Sequence, residues 1–543
     1  MSFAFTPDSS RSRSPRRSRT RKRVLTVLGL LLAAWVAAFG IAAVIPSKAL
    51  DDLDPRIASI MRKPAYPHAQ WAIFQQNPDS GEVVESRNAD QFFVPGSVAK
   101  LFGVSGTWRT LGGDHQFVTP VHAVGKRQGA TLVGDLDLVA QGDLTLGGRT
   151  RPDGTVAFTD IDHTYADDIP GATLTAPNPL AGINQLAKQV RASGITKVDG
   201  NVIVDARLFR PDPLLDPAPT PLIINDNLID LLTTPGDTPG ARARLDWRPH
   251  VAPYSVKSTV RTVAAGKPTA LKVKPSADGT RIQVSGTIAI DSAPVLRVSD
   301  IKDPNAFGRT ALIEALKRAG VAVTAKAVGP NPAARLPRSY GGAPVVARFT
   351  SPAYDSYARL IFKVSHNLGA NLGICLMAVS TGSSRCADGF PVLEKFLGSA
   401  KVDRKSVQLS DGRGGNPADR VTPRAVAQLL RYWQGTSEAT RFREALPTLG
   451  VDGSLASSCR SCPARGRVSA KTGTVTEGDL LNERLGVGAE AVAGYLETRE
   501  GRHDVFFAGV NGASASDIDG VLDIGDDVAD VAAYLQEATS SRS

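Results

Sequence analysis

Three short patterns of chemically active residues, far apart in the chain and in a set order, constrain this sequence more than anything else in it. They are Ser97-Val98-Ala99-Lys100, Ser365-His366-Asn367 and Lys471-Thr472-Gly473. Read as S-x-x-K, S-x-N and K-T-G, they differ in information. S-x-x-K recurs at Ser299-Asp300-Ile301-Lys302 and S-x-N at Ser86-Arg87-Asn88, whereas K-T-G occurs once. Context separates the informative copies from the decoys. Pro95-Gly96 reads as a loop leading into a helix, which the apolar pattern of Leu101, Phe102, Val104 and Trp108 continues. Ser97 and Lys100 then lie one turn apart on one helix face. Ser299 lies in a polar stretch with Pro304 close behind, and Ser86 falls in an expected hairpin strand. Ser365 sits between two helical stretches, 357–364 and 368–379. Lys471 is flanked by small and β-prone residues and reads as part of a strand.

The residue types fit one chemistry. A serine hydroxyl is a poor nucleophile and needs a base beside it. Lys100 can be that base only if its amine is neutral part of the time. Burial and a second cation, for which Lys471 is the candidate, would both lower its pKa. Ser365 can relay the proton between Lys100 and a leaving nitrogen, and Asn367 offers a donor and an acceptor to a peptide-like substrate. Gly473 leaves room for a substrate strand to lie along the edge. Lys471, Thr472 and Thr474 suit a terminal carboxylate, and the N–H groups of Ser97 and Thr474 suit an oxyanion.

With these residues in this order, the chain resembles the class C low-molecular-mass penicillin-binding proteins, the D-alanyl-D-alanine carboxypeptidase/endopeptidase family. The likeness covers roughly residues 57–511 and extends to other blocks, among them 134–146, 200–209, Asn225-Asp226-Asn227, 411–423 and Gly450-Val451-Asp452-Gly453. It implies acyl-enzyme chemistry on peptidoglycan stem peptides and acylation by β-lactams; no cofactor is expected. It implies an α+β fold: a β-lactamase/transpeptidase-like domain, an antiparallel sheet covered by helices, with a β-rich insertion of one or two subdomains. Ser365 follows Ser97 by 268 residues (365 − 97). The resembled family has such a gap because extra domains follow the nucleophile helix, and a one-domain class A β-lactamase could not hold them. The expected divisions are 68–122 and 346–543 for the transpeptidase-like domain and 123–345 for the insertion.

The chain departs from the family pattern in three places. His366 stands where Asp or Asn is commoner, and is expected at the surface. The block that borders the site reads Asp411-Gly412-Arg413-Gly414-Gly415-Asn416, so Asp411 and Arg413 are candidates for substrate contact. The connection over residues 477–490 looks longer than usual. The altered block keeps open an alternative, a wall-peptide scaffold with little turnover, against the active peptidase that the intact Ser97, Lys100, Ser365, Asn367 and Lys471 favour.

The net charge of +10 invites a nucleic-acid reading. Residues 1–23 hold eight Arg/Lys and one Asp, so most of that charge belongs to a tail and nucleic acid is not an expected partner. Residues 24–45 carry no charge, long enough to span a bilayer. Basic residues before this segment and Asp51, Asp52 and Asp54 after it point to a single-pass cell-membrane anchor, the catalytic region outside the cytoplasm. Secretion after signal cleavage is the alternative. Residues 46–67 read as a linker. Outside the cytoplasm the four cysteines favour disulfides, and sequence proximity favours Cys375 with Cys386 and Cys459 with Cys462. The histidine spacing offers no metal site.

Overall fold

The computed structural model describes residues 52–498 and 501–541. The basic tail and the apolar segment expected to anchor the chain lie outside them. Among the described residues no helix is long and apolar enough to cross a membrane.

Lys471-Thr472-Gly473 lies on an antiparallel sheet whose strands come from distant parts of the chain. Its order is Val468–Asp479, Arg484–Glu497, His503–Asn511, Gln70–Gln76 and Val83–Arg87, with Ala513–Ala515 beside the second strand. Residues 505–510 are buried at every position. That unbroken run follows from helices on both faces, since a strand with one wet face would alternate. The helix Ile518–Ser541 covers one side of the sheet, and Pro423–Gln434 packs against the strands on the other. The latter helix shows why its sequence folds as it does. Pro423 occupies the first turn, where its missing N–H costs nothing, and Thr422 caps by accepting from the Ala425 N–H at 3.2 Å. Val426, Leu429, Leu430 and Trp433 then make one buried stripe. Trp433 stacks on Phe442 with centroids 4.4 Å apart and meets Trp108 edge-on at 5.4 Å. Its indole N–H donates to Ser105 Oγ at 2.7 Å, so the polar end of a fully buried ring is satisfied.

Between the nucleophile helix and the S-x-N loop lies a second hydrophobic core with its own sheets. A mixed six-stranded sheet runs Ala322–Val323, Lys197–Asp199, Thr131–Val139, Gln116–Gln128 and Val345–Ala353, with Val202–Asp205 also on the Thr131–Val139 strand. Helices Ala181–Ala192 and Pro304–Arg318 pack on it, and three- and four-stranded sheets complete the region. In chain order its first strand starts at Gln116 and its last ends at Ala353.

One expectation needs correction. Residues 477–490 do not form a long connection. The strands Val468–Asp479 and Arg484–Glu497 stay paired out to Asp479 and Arg484, and only 480–483 turn. Charged residues on a pleated strand look like loop sequence when the partner strand is unknown. Ser299 of the decoy is buried in the strand Val295–Asp300, paired with Ile229.

Candidate active site

The chain reaches the site through Pro95 and Gly96. Gly96 has φ +49°, a left-handed conformation that a side chain disfavours. A 3₁₀ turn, Gly96–Ala99, leads directly into the helix Lys100–Leu111. The Gly473–Thr474 peptide of the K-T-G strand lies against this turn. A Cβ on Gly473 would collide with the Pro95 carbonyl oxygen and the Val98 N–H and sit 3.1 Å from the Ser97 nitrogen. The glycine is therefore required by the approach of the nucleophile turn itself, in addition to any room it leaves for a ligand.

Lys100 is wholly buried. Its Nζ lies 2.6 Å from Ser97 Oγ, 2.8 Å from Asn367 Oδ1 and 3.0 Å from the Arg413 carbonyl oxygen. All three partners are uncharged oxygens. Burial, then the charge of Lys471, push its ammonium well below the ordinary lysine range; Asp411 opposes this and Arg413 adds to it. Lys471 is equally buried, and burial brings it down to about 7 against the opposing pull of Glu490. Its Nζ lies 2.7 Å from the Thr472 carbonyl oxygen. Thr472 Oγ1 in turn pairs with Ser454 Oγ at 2.7 Å. Thr474 Oγ1 donates to Glu490 Oε1 at 3.1 Å. Glu490 faces Thr474 across the two strands, and burial raises its carboxyl to about 8.

Ser365 lies between the helices Tyr354–Lys363 and Asn367–Val379, with φ +58°. His366, expected at the surface, is fully buried. Its Nδ1 accepts from the Gly369 N–H at 3.0 Å, capping the helix that begins with Asn367. Its Nε2–H donates to Asp226 Oδ1 at 2.9 Å. The burial was invisible in the sequence because the covering residues come from a segment 140 positions away.

Asp411 turns inward. Its oxygens accept from the N–H groups of Arg413, Gly414 and Gly415 at 3.0, 2.6 and 3.2 Å, so the carboxylate builds the loop that presents the Arg413 carbonyl to Lys100. The Arg413 side chain is partly exposed and donates to Asp216 Oδ2 at 3.2 Å. The structure thus gathers Ser97, Lys100, Asn367 and Arg413 by direct contact. Lys471 joins them through its charge, and Gly473 and Thr474 through the packed nucleophile turn. Motif reading missed Ser454, Glu490, Tyr165 and Asp226. Asp226 did fall in a recognised block, but nothing local hinted at its partner.

The cysteines pair as Cys375–Cys386 and Cys459–Cys462. Among the described residues no cluster of His, Cys, Asp or Glu has the arrangement of a metal site.

A serine whose hydroxyl meets a buried lysine, beside a sheet edge bearing K-T-G, defines a penicillin-recognising serine peptidase of α+β fold. The sequence matches the D-Ala-D-Ala carboxypeptidase 3 (S13) family over residues 53–530, and the chain belongs to that family. It is 26% identical over 475 residues to the D-alanyl-D-alanine carboxypeptidase of Actinomadura sp. (strain R39), covering 83% of this chain and 80% of that protein. It is 23% identical over 427 residues to the penicillin-sensitive carboxypeptidase A of Dictyostelium discoideum, covering 75% and 77%. In fold it is similar to penicillin binding protein 4 from Haemophilus influenzae, with a TM-score of 0.65 at 18% identity, covering 88% of this chain and 99% of that one.

Proposed function

We propose that this enzyme is a low-molecular-mass penicillin-binding protein that removes the terminal D-alanine from peptidoglycan stem peptides, through an acyl-enzyme on Ser97. The contact that carries this reading is Lys100 Nζ at 2.6 Å from Ser97 Oγ, the lysine buried among uncharged partners. A lysine so placed is held toward its neutral form and takes the serine proton as Oγ attacks the penultimate carbonyl. The N–H groups of Ser97 and Thr474 receive the oxyanion. The proton passes through Ser365 to the leaving D-alanine nitrogen as the C–N bond breaks. Water then cleaves the ester, with Lys100 again as base. Lys471, with Thr472 and Thr474, holds the terminal carboxylate, and Asn367 orients the peptide amide. Arg413 flanks the mouth of the site, with Asp411 shaping its loop. β-Lactams present a strained amide to the same serine and acylate it.

The enzyme acts outside the cytoplasmic membrane, held by residues 24–45. The charge asymmetry around that segment and the two disulfides support this placement.

A fluorescent β-lactam should label the protein, and mass spectrometry should place the adduct on the peptide containing Ser97. A synthetic pentapeptide stem should yield free D-alanine. A label at Ser299 or Ser365 would overturn the nucleophile, and labelling with no release of D-alanine would overturn the peptidase.

A further inference from the structure

The S-x-N loop is fastened from outside the catalytic domain. Two of its groups are held by residues of the long insertion. Tyr165 Oη donates to the Ser365 carbonyl oxygen at 2.5 Å. Asp226 Oδ1 accepts from His366 Nε2 at 2.9 Å. Asp226 is itself a hub: its Oδ2 accepts from His163 Nε2 and from Arg149 Nη2, both at 2.8 Å. Arg149 also grips Asp162 through two hydrogen bonds, at 2.6 and 2.9 Å, and His163 Nδ1 donates to Asp230 Oδ1 at 2.6 Å. Tyr165 is half-buried, and the side chains of His366, Asp226, His163, Arg149, Asp162 and Asp230 are all buried.

Backbone conformation points the same way. Asn225, Asp226 and Asn227 have φ of +53°, +56° and +59°, and Ser365 has +58°. Non-glycine residues rarely take these values, and three in succession persist only where surrounding contacts dictate them. Both sides of the Asp226–His366 contact are thus built from sparsely populated backbone. The residue at position 366 matters as well. A short Asp or Asn there can cap the helix but reaches no further. An imidazole caps with Nδ1 and still offers Nε2–H on the far side of the ring. Asn367, whose Oδ1 touches Lys100, is the next residue, so displacing the ring displaces a ligand of the general base.

We propose that Asp226 is a positioning residue for the reaction: through the His366 ring, and with Tyr165 on the Ser365 carbonyl, it fixes Ser365 and Asn367 beside Lys100, making the insertion a structural part of the proton relay. The inference rests on the acyl-enzyme reading above.

The test uses the full-length protein and benzylpenicillin, with Tyr165→Phe, His366→Asn and Asp226→Asn. Tyr165→Phe removes one hydroxyl from an otherwise unchanged ring, and His366→Asn keeps a capping side chain while deleting the arm to Asp226. For each, burst titration gives the fraction of molecules that acylate, and stopped-flow mixing gives the acylation rate constant per active molecule. Positioning predicts a rate constant lower by about 10- to 100-fold, with the dissociation constant of the non-covalent complex unchanged. It also predicts that His366→Asn combined with Asp226→Asn is no slower than the slower single variant, because both cut the same link. A purely structural role would lower the active fraction and leave the rate constant of the remaining molecules at the wild-type value, which would overturn the proposal. Hydrogen exchange supplies a readout that needs no activity. Tyr165→Phe and Asp226→Asn should speed exchange at residues 365–369; faster exchange confined to 160–166 and 225–230 would overturn it. If the wild-type protein is not acylated at all, the acyl-enzyme reading fails and exchange alone decides the positioning.

Discussion

Two groups of buried cations lie on either side of the S-x-N loop, and they are treated in opposite ways. Lys100 and Lys471 are completely buried, and none of the Nζ contacts described above is with a carboxylate. Arg149 and His163 are nearly as buried but touch three aspartates between them. The physics is shared and the outcomes diverge. Burial without a carboxylate partner drives the two lysines toward neutrality. In the cluster burial pulls the same way, but Asp230, Asp162 and Asp226 outweigh it and hold His163 charged, with its pKa raised to about 10. Burial works to raise Asp226 as well, and Arg149 and His366 overcome it. A buried cation left short of counter-charge is a reagent; one supplied with counter-charge is a fastening.

The largest expected effect tests the reagent side. Ser97→Ala should abolish β-lactam labelling, a loss on the order of 10⁶ in turnover, and Lys100→Arg should match it because arginine cannot give up its proton. Lys471→Arg, which keeps the anchoring charge, should retain part of the activity. Equal tolerance of arginine at both positions would erase the distinction between base and anchor.

Stability should separate the groups next. Arg149→Met leaves Asp162 and Asp226 buried with too little counter-charge and should cost about 3–5 kcal/mol in urea unfolding. Lys100→Met removes a desolvated amine and should stay within about 1 kcal/mol of wild type while destroying acylation. Comparable losses in the two variants would break the comparison.

The dependence of stability on pH sharpens it. His163 is raised from 6.5 to about 10, so its contribution is complete below pH 6.5 and is lost as pH rises toward 10. Lys471 is lowered from 10.5 to about 7, so its burial penalty is full below pH 7 and is relieved between 7 and 10.5. The two therefore give opposite slopes in one window. Melting curves at pH 7, 8 and 9 should fall less steeply in His163→Gln than in wild type, and more steeply in Lys471→Met.

The smallest effect concerns the link nearest the K-T-G strand. Cys462→Ser should fold, lose no more than a few kcal/mol, and leave Ser97 able to be acylated. Thiol counting on the denatured, unreduced protein should find no free thiol in wild type and one in this variant.

The sequence disclosed the chemistry more readily than its support. Ser97 and Lys100 are legible because one helical turn fixes their relation, and Lys471-Thr472-Gly473 because strand, charge and missing Cβ sit in adjacent positions. Both cysteine pairs were within reach once an expected compartment favoured disulfides and proximity chose the partners. His366 was not, since a histidine between two helices looks exposed until Asp226 arrives from 140 residues away. Glu490 was hidden likewise: its meaning depends on facing Thr474, and that register is set by a turn at 480–483 that the sequence presents as a long connection. What escaped is what two distant segments create together.

The sheet order has one further consequence. Gln70–Gln76 pairs along its whole length with His503–Asn511, which in turn carries the K-T-G hairpin. A growing chain therefore makes its nucleophile early and cannot complete the sheet until the final hundred residues have emerged. Closing so distant a pairing is slow compared with forming local helices. Catalytic competence is thus timed by synthesis. An interrupted chain bears Ser97 and Lys100 yet lacks the edge that would hold a substrate, so incomplete products are inert toward the wall.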